Sequence, residues 1–196
     1  MKTPRVFQRH PRVVGGAVLV LLLVALLLGE QARRRAFLPS EGEVAKVVDG
    51  DTLHLAAYGR VYKVRLIGVD CPEAYESPKL TRDAERAGQD LATIMALGKR
   101  ASAFTRQLCD GRRCRLEYDE ANAARGHRDR FERLLAYVYL TTDAGDEVFV
   151  NAEILRQGYG HAITRFDYDE ARKAEFRALQ RRAREAGRGL WGEWKP

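Results

Sequence analysis

The stretch Val47–Glu73, VVDGDTLHLAAYGRVYKVRLIGVDCPE, decides the fold. Apolar residues alternate along two runs, at Val47, Leu53 and Leu55 and then at Val61, Val64, Leu66 and Ile67, as strands with one buried face do. Tyr58-Gly59-Arg60 between them supplies a hairpin turn. Two acidic clusters frame the runs, Asp49-Gly50-Asp51-Thr52 and Asp70-Cys71-Pro72-Glu73. Taken singly, each has a plain explanation, since Asp-Gly is a common turn and a proline after a strand stops it. A hairpin of this length brings its ends together, so Asp51 and Asp70 are expected on one side of the sheet, with Arg65 one strand face away. Carboxylates paired at strand ends, with an arginine beside them, suit a hard divalent cation holding a phosphate.

Working outward, a chain of 196 residues is expected to hold one domain plus appendages. Its formal net charge of +7 favours a polyanionic partner, either nucleic acid or an anionic membrane surface. The 3 cysteines are too few for a disulfide scaffold and lack zinc spacing. Cys109 and Cys114 flank the turn Asp110-Gly111-Arg112-Arg113, and two readings stand open: a pair in an oxidising compartment, or two half-buried thiols.

Toward the N-terminus, Met1–Arg12 is basic and Val13–Gly29 carries no charge and no polar face. Its length is at the short end of a membrane span, and small residues are missing where a signal peptidase would need them. The expectation is an uncleaved transmembrane helix at 13–29, then a linker at 30–42. The alternative is a secreted protein after signal cleavage. The basic flank puts Met1–Arg12 in the cytoplasm and the domain in the periplasm or outside the cell.

The domain at 43–196 reads as strands at Glu43–Val48, Thr52–Ala57, Val61–Val69, Arg113–Glu117 and Leu134–Thr141, with an edge segment at Glu147–Val150. Ala74–Arg86 and Tyr118–Arg130 are polar and are expected as loops. Leu91, Ile94, Leu97, Ala101, Phe104 and Leu108 make one apolar stripe, predicting a helix over Asp90–Leu108 that Gly98 weakens. Asn151 is placed to cap a short helix, Ala152–Gln157, and Asp167–Ala186 is a second long helix stopped by Gly187. Five strands with a helix after the third and helices at the end give an α+β fold, a five-stranded β-barrel of OB type with about three helices.

VVDGDT and RLIGVDCPE, in this order, resemble the signature of the staphylococcal nuclease (thermonuclease) family. Four other stretches extend the likeness: Phe131–Tyr137, FERLLAY; Val150–Gly160, VNAEILRQGYG; Ala101–Thr105; and Gly189-Leu190-Trp191. The family's fold is a five-stranded barrel with three helices, and the likeness covers about Glu43 to Trp191. It implies calcium-dependent hydrolysis of phosphodiester bonds in DNA and RNA, with single-stranded or frayed substrates preferred and no obligate protein partner. Asp51 and Asp70 would be side-chain ligands of the calcium ion, and Cys71 would serve through its backbone carbonyl, where side-chain identity does not matter. Glu73 would be the general base, Arg65 and Arg133 the guanidiniums on the phosphate, and Asp49 a carboxylate near the metal without touching it.

That set makes chemical sense on its own terms, because attack of water adds negative charge to the phosphate, which a divalent ion and two forked arginines offset. Some positions depart from the family. Glu132 stands in place of the usual glycine beside Arg133. Thr164 and Phe166 stand where the family's best-known member has two nucleotide-stacking tyrosines, which leaves Phe166 as a substrate-binding face. The Ala74–Arg86 loop is longer. The rival reading is a noncatalytic OB-type module that binds nucleic acid or protein while tethered to the membrane. The intact acidic set argues against it. His127-Arg128-Asp129 imitates a kinase catalytic loop, but Leu134 stands where that motif needs asparagine.

Overall fold

The computed structural model describes residues 19–26, 38–142 and 145–192. The chain divides into two compact units, Met1–Leu38 and Pro39–Pro196. In the first, residues 19–26 form a helix, α1, of apolar residues. Among the described residues no helix is long and apolar enough to cross a membrane, and the rest of the expected span Val13–Gly29 lies outside them.

The second unit is built on the hairpin. β1 (Glu41–Asp49) pairs antiparallel with β2 (Thr52–Ala57), and β2 with β3 (Arg60–Leu66). Tyr58 and Gly59 make the β2–β3 turn with φ of 51° and 69°, the left-handed geometry that matches the twist of the flanking strands. β5 (Arg113–Glu117) lies against β1, and β6 (Leu134–Thr141) against β5. β3 then pairs in parallel with β6, Val64 opposite Leu134 and Leu66 opposite Ala136, which closes β3-β2-β1-β5-β6 into a five-stranded barrel. β7 (Glu147–Phe149) extends the sheet from β6. The inward side chains, among them Val44, Leu53, Leu55, Val64, Leu66, Leu134 and Leu140, are fully buried, which is the hydrophobic gain that holds a closed sheet together.

The third strand does not run on to Val69 as expected. The chain bends at Gly68, φ 74°, where Phe176 of α5 (Glu170–Glu185) leaves no room for a side chain. The strand resumes as β4 (Val69–Asp70), paired outside the barrel with β8 (His161–Ala162). The polar stretch expected as a loop after Glu73 contains a helix, α2 (Pro78–Ala87). Ser77 caps it by accepting from the Leu80 amide, Pro78 sits in its first turn, and Gly88 ends it at φ 62°. Among the described side chains of α2, Leu80 and Ala84 reach a buried cluster with Ile94, Leu97 and Leu190. The Tyr118–Arg130 segment likewise holds a 3-10 helix, Glu120–Arg125.

α3 (Leu91–Cys109) lies across the barrel beside both acidic clusters. Thr105 Oγ1 donates to the Gly50 carbonyl at 2.8 Å. Two turns earlier, Gly98 passes so close to the Glu73 carbonyl that a Cβ would collide with it. The glycine that weakens the helix locally is therefore what lets the helix lie there.

Asn151 is not a cap. α4 (Val150–Arg156) begins one residue before it, and its side chain is fully buried. There it accepts from the Val138 amide at 3.0 Å and donates to the Ile67 carbonyl at 2.9 Å, tying α4 to the barrel wall.

Candidate active site

The two ends of the hairpin meet as expected. Asp51 is buried, and its Oδ2 accepts the Cys71 amide at 2.7 Å. Its Oδ1 accepts from Thr52 Oγ1 at 3.2 Å. Asp49 Oδ1 accepts the Asp51 amide at 3.1 Å, so Asp49 shapes the turn that aims Asp51. Cys71 packs its side chain on Gly50, where a Cβ would stand 2.6 Å from its own. Burial pushes the Cys71 thiol well above its ordinary pKa, so the sulfur stays neutral and brings no charge to the cluster.

Arg65 is not one strand face away. Its backbone pairs with Thr52, and its guanidinium reaches both carboxylates: Nη1 forms an ion pair with Asp51, and Nη2 lies 3.0 Å from Asp70 Oδ1 and donates to the Val69 carbonyl at 3.1 Å. Parallel pairing of β3 with β6 brings the residue before β6 alongside, and that residue is Arg133. Arg133 Nη1 stands 3.4 Å from Thr52 Oγ1, one hydroxyl away from Asp51. Asp129 holds it there, accepting the Arg133 amide at 3.0 Å on Oδ1 and the Arg133 Nε at 2.7 Å on Oδ2. The apparent kinase motif is thus the brace of Arg133. Glu132 sits in this turn at φ 61° with its side chain exposed.

Glu73 lies half-buried at the mouth of the cluster, and a residue that the sequence did not single out joins it. Lys79 Nζ is 3.0 Å from Glu73 Oε1 and 3.2 Å from Asp70 Oδ1, and donates to the Cys71 carbonyl at 2.8 Å. Burial works against the Lys79 charge, but Asp70 and Glu73 more than offset it and raise its pKa above the usual lysine value. The signal for Lys79 was Ser77-Pro78, a helix start that places the next residue over the preceding strand end.

Phe166 follows β8 in the chain. It is exposed, with the Arg165 guanidinium 5.0 Å from its ring centre. Its neighbours Thr164 and Arg165 line a cleft of about 430 Å³ that Asp70, Asp83 and His161 also line. Burial lowers the His161 pKa, keeping the imidazole neutral there. A second aromatic face, missed in the sequence, stands nearer the arginines: Phe131 is exposed, with the Arg130 and Arg133 guanidiniums 4.7 Å and 5.4 Å from its ring centre.

Among the described residues no three acidic, histidine or cysteine side chains stand as a ready metal cage. Two cations of the chain, Arg65 and Lys79, stand among the acidic groups instead. The donors nonetheless fit a hard divalent ion. Asp51, Asp70 and the Cys71 carbonyl offer oxygen only, and each already faces a positive charge or an N–H.

Similarity to known proteins agrees with this arrangement. Residues 63–193, more than half of the chain, match the family model for the staphylococcal nuclease homologue. A thermonuclease of Staphylococcus intermedius is 33% identical over 147 residues, 74% of this chain and 74% of its own length. One from Staphylococcus hyicus is 30% identical over 76% of this chain and 74% of its own. Endonuclease YhcR of Bacillus subtilis is 31% identical over 80% of this chain, but that match spans 12% of the longer protein. With the closed barrel, the joined acidic clusters and the two arginines brought to them, these similarities place the chain in the staphylococcal nuclease family.

Proposed function

We propose that this nuclease-family enzyme hydrolyses phosphodiester bonds in DNA and RNA, using calcium held by Asp51, Asp70 and the Cys71 carbonyl. The supporting observation is convergence: Asp51, Arg65, Asp70 and Arg133 come from separate segments and are linked by a continuous set of contacts, with Glu73 at their edge. When bound, calcium supplies a positive charge against the phosphate oxygens and the leaving group. Arg65 and Arg133 bind the phosphate through forked N–H groups and offset the charge that grows as water attacks. To do so Arg65 turns from the carboxylates to the phosphate. Glu73 takes the proton of the attacking water, and its partly exposed position leaves room for that water. Asp49 keeps the turn of Asp51 in shape. Exposed Phe131 and Phe166 offer faces on which unpaired bases stack, which favours single-stranded or frayed substrates.

The apolar run Val13–Gly29 anchors the protein, with the domain from about residue 43 facing the periplasm or exterior. Resistance to alkaline carbonate extraction, and protease access to the domain in intact cells, test that placement.

The chemistry is tested by incubating the full chain in detergent with plasmid and RNA, in calcium or in EGTA, beside Glu73→Gln. Calcium-dependent cutting that is at least a hundredfold slower in the variant is expected for loss of a general base. Undiminished cutting by Glu73→Gln removes Glu73 from that role, and cutting in EGTA removes the metal from the reaction.

A further inference from the structure

Lys79 occupies a position that the nuclease reading does not use. Its ammonium lies within 3.6 Å of four oxygens: the Cys71 carbonyl at 2.8 Å, Glu73 Oε1 at 3.0 Å, Asp70 Oδ1 at 3.2 Å and Asp83 Oδ2 at 3.6 Å. Two of these belong to the proposed calcium ligands and one to the proposed base. The backbone that carries Lys79 is fixed, since Ser77 caps the helix and Leu80 and Ala84 pin it in the cluster with Ile94, Leu97 and Leu190. The side chain is not fixed in the same way. It is 28% exposed, and its four torsions let the ammonium swing to solvent while α2 stays in place.

We propose that Lys79 is a positioning residue of the metal site, a tethered monovalent cation that orders the Asp70, Cys71 and Glu73 oxygens and must leave them for a divalent ion to enter. This inference rests on the calcium reading above. An ammonium and a divalent ion cannot share the same oxygens, because unit charges a few ångströms apart in a partly buried site repel strongly. Metal binding is therefore an exchange, and the apparent affinity is reduced by the fraction of molecules in which the ammonium has swung away. Lys79 thereby sets the metal concentration at which the enzyme is loaded. It also prevents four crowded oxygens from repelling one another when the metal is absent.

The test is calorimetric titration of the full chain in detergent with calcium chloride, for wild type, Lys79→Met, Lys79→Gln and Lys79→Arg, with Asp51→Asn as the site control. Melting midpoints in EGTA and in saturating calcium are measured alongside. Lys79→Met and Lys79→Gln are expected to bind calcium at least tenfold more tightly than wild type. They are also expected to melt lower in EGTA and to gain more from calcium, while Lys79→Arg stays within about threefold of wild type. A purely structural lysine would lower both melting midpoints and leave the dissociation constant unmoved. Unchanged or weaker calcium binding by both neutral variants, with wild type binding normally, overturns the exchange and leaves the nuclease reading intact. No calcium binding by wild type or by either neutral variant, or full binding by Asp51→Asn, refutes the metal site itself and the exchange with it.

Discussion

The Cys71 amide donates to the Asp51 carboxylate across 2.7 Å, joining two positions 20 residues apart. This bond turns a hairpin into a site, because it fixes the separation of the two acidic clusters without using the cysteine side chain. It also commits one oxygen of Asp51 to the backbone, leaving the other to face Arg65. Several substitutions test how the surrounding structure maintains that arrangement.

Gly98→Ala places a methyl group against the Glu73 carbonyl and the Ala74 amide, which are backbone atoms with little room to retreat. Strain of this kind costs about 1–3 kcal/mol. Urea denaturation should show the loss, although alanine is otherwise the better helix former. Nuclease activity per folded molecule should fall as well, since Glu73 is displaced.

Glu132→Gly should raise stability. Glu132 holds φ 61°, a conformation that costs a residue with a Cβ about 1–2 kcal/mol and costs glycine little. Because glycine gains freedom in the unfolded chain, a net gain of about 1 kcal/mol is expected by urea denaturation. Arg133 should keep its place, because Asp129 and not Glu132 holds it.

Asn151→Leu removes both partners of the Val138 amide and the Ile67 carbonyl inside the protein. Leaving two buried polar groups unsatisfied costs about 2–6 kcal/mol at 1–3 each. The expected result is a large drop in the melting midpoint, with failure to fold as its limit.

Asp119 gives a pH signature. Burial alone would raise its pKa, but hydrogen bonds from the Asp169 amide, the Tyr137 hydroxyl and the Ala121 amide outweigh that and lower it. A folded-state pKa below the unfolded value of about 3.9 means the contribution is complete above that pH and is lost as pH falls through the lowered value. Wild type should therefore lose stability steeply below about pH 4, and Asp119→Asn should flatten that part of the profile in melting experiments at pH 2–6.

What could be read from the sequence was what local pattern encodes. Alternation marks β2 and the body of β3, though not its end at Leu66, and the apolar stripe marks α3 to within a residue or so at each end. PKLTRDAERA reads as a charged loop and not as the α2 helix because its stripe is one leucine, Leu80, with two small residues, Ala84 and Ala87, too little apolar surface to stand out. Asn151 looked like a cap because caps are local, whereas its true partners come from β6 and from Ile67, far along the chain. Arg65 was assigned to its site by motif but to the wrong reach by geometry, since alternation describes where a Cβ points and not where a long guanidinium ends. Asp129 has no local signature of its role, and Ser77-Pro78 marks the helix start before Lys79 but not the carboxylates it meets, since each acts through neighbours that only the folded chain supplies.

Gly98 and Thr105 of α3 touch the two acidic clusters separately, and seven residues of helix separate them by about 10 Å along the axis. The helix is thus a ruler laid across both ends of the hairpin. A site gauged in this way cannot loosen one cluster at a time, since unwinding the middle of α3 releases both together. Loss of activity on heating should then coincide with cooperative unfolding of the whole barrel, with no earlier step in which the fold survives and the chemistry is gone.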